Sequence, residues 1–151
     1  MYKKILVPID GSAAATRGLE EAIKLATDQS ATIRLIHVIN ELMVVTSYEA
    51  TIYTADLIHA LRESGNKLLE RAKQQVAKAG LKVEVEMLEA HGGQAGNTIA
   101  SDAEKSKADL IVIGTHGRRG LSRVVMGSDA EQVVRLSKIP VLLVRSVEAK
   151  S

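Results

Sequence analysis

Asp109-Leu-Ile-Val-Ile113-Gly114-Thr-His-Gly117-Arg-Arg-Gly-Leu-Ser-Arg-Val-Val-Met-Gly127-Ser128 is the stretch whose reading decides the fold. It opens as a short aliphatic run, Asp109–Ile113, that reads as a buried strand. It then breaks into spaced glycines. It closes at Ser128-Asp129-Ala130-Glu131, which has the spacing of a helix capping box, followed by an inner face of Ala130, Val133, Val134 and Ser137. Strand, glycine loop and capped helix in that order are the building unit of an α/β sheet.

Four more runs rich in branched aliphatics share the character of Asp109–Ile113: Lys4–Ile9, Thr32–Ile39, Lys82–Leu88 and Pro140–Val144. Helical patterns separate them. Ala15, Gly18, Leu19, Ala22, Ile23 and Ala26 recur at three- and four-residue steps, as do Ile58, Leu61, Gly65, Leu68, Ala72, Val76 and Ala79. Gly80 is placed to end the longer helix in a left-handed conformation, and a short helix is predicted from about Thr98 to Lys105. Strands alternating with helices imply a parallel sheet covered on both faces. Right-handed crossovers make this a single doubly wound three-layer α/β sandwich, with five parallel strands in the order 3-2-1-4-5. We expect one domain over residues 1–146 and a short polar tail at 147–151. Residues 40–54 are long for an α/β connection, and Met43-Val44-Val45 makes them apolar for a linker. They read as a loop packed on the sheet edge, or as a lid or contact surface.

Composition narrows the function. The chain has 151 residues, 46% of them hydrophobic, with no Phe or Trp and three Tyr. A core of Val, Ile, Leu and Ala follows. Single-stranded nucleic acid, which stacks on aromatic platforms, is disfavoured. A formal charge of +2 gives no basis for nucleic acid or an anionic membrane as partner. The absence of cysteine excludes disulfides and thiolate metal sites. No apolar run has the length of a signal-peptide core or a membrane span, so a soluble, cytoplasmic protein is expected.

The final aliphatic strand, Ile139-Pro-Val-Leu-Leu-Val144, is apolar on both faces, and residues 145–151 are too short and polar to cover it. At a sheet edge it would invite pairing. A homodimer through this C-terminal strand is the expected solution, because an isologous contact removes the hazard.

In an open parallel sheet, ligands bind beyond the carboxyl ends of the strands, at the point where the strand order reverses. Gly114, Gly117, Gly127 and Ser128 fall there. Glycines let a backbone approach ribose or phosphate, and a helix N-terminus attracts anions. Arg118, Arg119 and Arg123 would add positive charge. The alternative is that the glycines are turn residues and the arginines a solvated surface. The pattern is neither a Walker A loop nor a GxGxxG fingerprint. A second element, Val7-Pro8-Ile9-Asp10-Gly11-Ser12, follows the first strand. Asp10 would contact a base, ribose or metal, or else cap the next helix, which Ser12 could equally do. In the order 3-2-1-4-5 the two loops face one crevice.

Complete as Gly114, Gly117, Gly127 and Ser128, the pattern Gly-x2-Gly-x9-Gly-[Ser/Thr] resembles the ATP-binding signature of the universal stress protein family. Ile5–Ser12, Leu35-Ile-His-Val38 and Ile139–Val144 extend the resemblance over essentially the whole chain. It implies that Pro8, Asp10 and Val38 line an adenosine pocket and that Gly114, Gly117, Gly127 and Ser128 hold ribose and phosphates. It also implies ATP, with or without Mg2+, dimerisation through the last strand, and a part in stress survival or growth arrest. One departure is Gly92-Gly-Gln-Ala-Gly-Asn97, where many members carry a Gly-x-Pro turn.

His37, His59, His91 and His116 form no compact metal-ligand spacing, and Ser12 and Ser128 have no recognisable base partner. No metal-ligating or catalytic residue is therefore assigned. The expected protein is an ATP-responsive dimeric regulator with protein partners that the sequence does not identify. Two alternatives stay open: a slow ATPase or phosphotransferase using the same pocket, and an interaction scaffold that binds no nucleotide.

Overall fold

A computed structural model of the chain describes residues 1–40, 54–90, 94–115 and 126–146. Nine elements alternate along it: β1 (Lys4–Pro8), α1 (Ala13–Gln29), β2 (Thr32–Ile39), α2 (Thr54–Lys78), β3 (Val83–Glu89), α3 (Ala95–Lys105), β4 (Leu110–Gly114), α4 (Ser128–Leu136) and β5 (Val141–Val144). The five strands form one parallel sheet in the order β3-β2-β1-β4-β5, as the sequence predicts.

Both faces of the central strands are buried, which is why they read as unbroken aliphatic runs. Ile5, Val7, Ile33, Leu35, Leu110 and Val112 pack against Leu19, Ala22 and Ala26 of α1 and Leu69, Ala72 and Val76 of α2. The alternate residues Leu6, Ile36, Ile111 and Ile113 pack against Ile99 and Ala103 of α3 and Ala130 and Val133 of α4. The expected three layers are thus α1 and α2, the sheet, then α3 and α4.

Local signals explain most element ends. Ser12 caps α1, its hydroxyl accepting from the Ala15 N–H at 3.1 Å. Gly80 has φ +75°. Its N–H donates to the Ala77 carbonyl and that of Leu81 to Val76, the paired bonds of a Schellman stop.

Two expectations need correction. α2 does not bury its stripe throughout: Leu61 is 39% exposed, Ala79 is exposed, and full burial starts at Gly65. At about 1.5 Å per residue, 25 residues of helix outreach an eight-residue strand rising about 3.3 Å per residue, and the exposed stretch is its N-terminal half. In α4 the inner face is narrower than expected, because Val134 is 43% exposed and Ser137 already lies beyond the last turn.

The sheet also carries a buried ion network. Arg34 on β2 donates through Nε and Nη2 to the two carboxylate oxygens of Asp102 on α3, each at 2.7 Å. Glu86 and Glu84 on β3 complete the pairing. Hydrogen bonding to Asp102, above all, raises the Arg34 pKa, so the guanidinium is always charged. The network borders a cleft of about 530 Å3 between β3 and α3. Its carboxylates are engaged from inside the protein, Glu84 also by Lys4 and Glu89 by Arg62.

Candidate functional site

The candidate residues on described segments gather at one edge of the sheet. Pro8 ends β1, Val38 is the penultimate residue of β2, Gly114 ends β4, and Gly127 and Ser128 open α4. Asp10 follows β1 by two residues. β1 and β4 pair as Ile5↔Leu110 and Leu6↔Ile111. Carried on at the same offset, the register sets Asp10 level with Thr115. His116, Gly117, Arg118, Arg119 and Arg123 lie outside the described residues, as do 41–53, 91–93 and the 147–151 tail.

At the β1 end, the choice left open for Asp10 is decided for the helix cap. Ser12 holds that position, while the Asp10 Oδ1 accepts the Ser12 N–H at 2.8 Å. The intervening Gly11 has φ +83°, which favours glycine there.

Gly114 has a packing role that its spacing did not reveal. A Cβ built on it would lie 2.6 Å from the Ala14 carbonyl carbon and 2.7 Å from the Ala14 Cβ. Removing that Cβ lets α1 sit directly on the end of β4. His37, one of the four histidines, is likewise structural: its Nδ1 lies 2.6 Å from the Ile9 carbonyl oxygen, and Gly65 makes room for the ring under α2.

α4 starts differently from the capping box expected for Ser128. The N-cap is Gly127 (φ −57°, ψ 152°), and no side chain caps the helix. Ser128 is the first helical residue and is exposed. The start is fixed by backbone instead: the Gly127 N–H donates to the Thr115 carbonyl at 2.5 Å, and the Thr115 N–H donates to Val144 at 2.9 Å. Among the described residues, the first-turn N–H groups of α4 therefore have no side-chain acceptor from the cap, the arrangement that suits an anion.

Two further residues belong to this edge and were not singled out by the sequence. Strand alternation sends Gly114 toward α1 and Thr115 toward α4, the side on which Ile113 meets Ala130 and Val133. Thr115 is only 8% exposed, yet its hydroxyl has no hydrogen-bond partner among the described residues. A buried polar group in that state points to a missing ligand or water. Asp129 follows Ser128 in the first turn of α4. The protein around its carboxyl sheds water and raises its pKa, and the negative charge of Asp10 raises it further. In the sequence Asp129 lies only between Ser128 and Glu131 of the capping-box spacing, which gives it no role.

Among the described residues, an uncapped helix start and a buried Thr115 hydroxyl without a partner fit a phosphorylated ligand. The family model described as "Universal stress protein family" matches residues 1–145. Universal stress protein MJ0531 of Methanocaldococcus jannaschii is 37% identical over 150 residues, covering 96% of this chain and 83% of the relative. Universal stress protein YxiE of Bacillus subtilis is 35% identical over 151 residues, covering 96% and 100%. Among solved structures, protein MJ0577 superposes with a TM-score of 0.85 at 30% identity, covering 99% of each chain. Two structures alike in fold alone, at 23% and 24% identity and TM-scores of 0.68 and 0.64, are a universal stress protein in complex with cAMP and that of Archaeoglobus fulgidus in complex with dAMP. With the family model spanning 145 of 151 residues, the chain belongs to the universal stress protein family.

Proposed function

We propose that the protein binds ATP at the carboxyl edge of β1, β2 and β4 and acts as a nucleotide-responsive dimeric regulator of stress survival or growth arrest in the cytoplasm. The observation that carries this reading is the start of α4: a helix N-terminus fixed by the Gly127–Thr115 bond, without a side-chain cap among the described residues, at the same end of the sheet as Asp10.

In this reading Pro8 and Val38 flank the adenosine, Asp10 meets the ribose or a bound Mg2+, and Gly114 and Gly117 line the path toward the phosphates. Gly127 and Ser128 receive the phosphates on backbone N–H groups and the Ser128 hydroxyl, with Arg118 supplying charge. The adenine nucleotides held by other proteins of this fold lend support. A ligand of this kind regulates only through differential affinity for two states of the protein or its complexes. The dimer is proposed through β5, which pairs with β4 alone among the described residues and leaves Leu142 and Leu143 each 38% exposed.

A thermal-shift panel tests the binding. A ligand of the folded state at about a hundredfold excess over its Kd stabilises by about 2.7 kcal/mol. ATP with Mg2+ should therefore raise the melting temperature by several degrees, and GTP should raise it much less. Equal shifts with ATP and GTP, or none with either, contradict the reading.

A further inference from the structure

A side chain takes over where the pairing of β1 with β2 stops. The two strands run in register as far as Pro8↔Ile36, and the Ile9 N–H still donates to the Ile36 carbonyl at 2.8 Å. The Ile9 carbonyl oxygen, by contrast, lies 2.6 Å from the Nδ1 of His37. A carbonyl oxygen only accepts, so Nδ1 carries the proton of the neutral ring. That carbonyl and the Asp10 N–H belong to one planar peptide unit. A bond to the oxygen therefore sets the orientation of the peptide that leads into the Asp10 turn. On the other side of the turn the Asp10 Oδ1 accepts the Ser12 N–H at 2.8 Å, across Gly11 at φ +83°.

α2 holds the ring in this place. A Cβ built on Gly65 would lie 2.5 Å from the His37 Cδ2, 3.0 Å from its Nε2 and 2.8 Å from the Met87 Cε, so the helix closes on the imidazole with no space to spare. Three residues on, Leu68 meets the turn itself, its Cδ2 3.3 Å from where a Cβ on Gly11 would stand. One helix thus presses on both the ring and the turn that the ring supports.

We propose that His37 is a positioning residue for the nucleoside half of the site, setting the Asp10 turn through the Ile9 carbonyl while Gly65 and Leu68 of α2 hold ring and turn together. The proposal rests on the nucleotide reading above, in which Asp10 meets the ribose. His37 touches no ligand in it and acts only through the Ile9–Asp10 peptide.

The test joins spectroscopy to a mutant cycle. Long-range proton–nitrogen NMR of the native protein should find the neutral His37 ring protonated on Nδ1. Calorimetric titration with ATP and Mg2+, and with adenosine, then compares the native protein with His37→Leu, His37→Asn, Asp10→Ala and the double variant His37→Leu/Asp10→Ala. His37→Phe replaces His37→Leu if the latter does not fold. Loss of the donor should weaken both ligands by about tenfold, the scale of one such hydrogen bond. His37→Asn, which keeps an N–H donor near the Nδ1 position, should recover most of that loss. In the Asp10→Ala background His37→Leu should cost less than about twofold, because its effect passes through Asp10. A proton on Nε2, no recovery in His37→Asn, or the full loss in the Asp10→Ala background overturns the inference and leaves the nucleotide reading standing. If the native protein binds neither ligand, the nucleotide reading has failed, and hydrogen exchange at the Ser12 amide decides whether His37 sets the turn. Faster exchange in His37→Leu than in the native protein and His37→Asn supports it, and equal exchange in all three overturns it.

Discussion

The Gly127 N–H donates to the Thr115 carbonyl at 2.5 Å, and this one backbone bond fixes where α4 begins relative to the end of β4. It occupies the donor of the N-cap residue. Gly127 itself has φ −57° and ψ 152°, a conformation open to any residue, so its glycine character is not demanded by backbone strain.

A branched side chain at Gly127 should therefore be tolerated by the fold and not by the ligand. Gly127→Val is expected to keep the native circular dichroism spectrum and melting temperature to within a few degrees and to abolish ATP binding. Normal ATP affinity in this variant would show that the phosphates pass elsewhere.

The Arg34–Asp102 pair predicts an asymmetry between its two partners. Their side chains are 11% and 9% exposed. Arg34→Met leaves Asp102 buried without the guanidinium and should cost about 3–5 kcal/mol, the usual penalty for stranding one member of a buried pair. Asp102→Asn leaves Arg34 its bonds to Glu86 and Glu84 and should cost clearly less. Urea unfolding of the two variants decides, and equal losses would contradict the account of the network.

Asp129 predicts a pH dependence of stability without any ligand. Its folded-state pKa is raised by desolvation and by Asp10, so the folded protein holds that proton more tightly than the unfolded chain. The resulting stability is full below the ordinary carboxylate pKa and is lost as pH rises through the raised value. Asp129→Asn cannot lose it. The melting temperature of Asp129→Asn relative to the native protein should therefore become more favourable between about pH 4 and about pH 7. A difference that is flat across that range, or that changes in the opposite direction, would contradict the raised pKa of Asp129.

Edge pairing through β5 predicts that self-association depends on its exposed leucines. Sedimentation at micromolar concentration should give a dimer for the native protein and a monomer for Leu143→Lys, with melting temperatures that converge on dilution. A native monomer would remove the dimer from the proposed function.

How far the sequence could be read follows from the range of the interactions involved. The strand order and three layers were legible because a parallel sheet covered on both faces writes itself as unbroken aliphatic runs, such as Thr32–Ile39, and α1 writes its face at regular steps from Ala15 to Ala26. The Gly80 stop and the Ser12 cap were legible because they are local. The tight seat of Ala14 on Gly114 and the pairing of Arg34 with Asp102 join distant segments and leave no spacing to recognise. At α4 the local signal misled: Ser128-x-x-Glu131 has capping-box spacing, but the tertiary bond from Gly127 to Thr115 sets the helix start one residue earlier. The glycine pattern located the crevice edge, whereas the carboxylate beside it, Asp129, became visible only once β1 and α4 were brought together.

The central claim is that this crevice is an adenine-nucleotide site, and calorimetric titration of the purified protein with ATP and Mg2+, with GTP as control, tests it most directly. Saturable micromolar binding that prefers ATP is the predicted result. No heat of binding at millimolar ATP would contradict it and leave a family member whose function lies in its protein contacts alone.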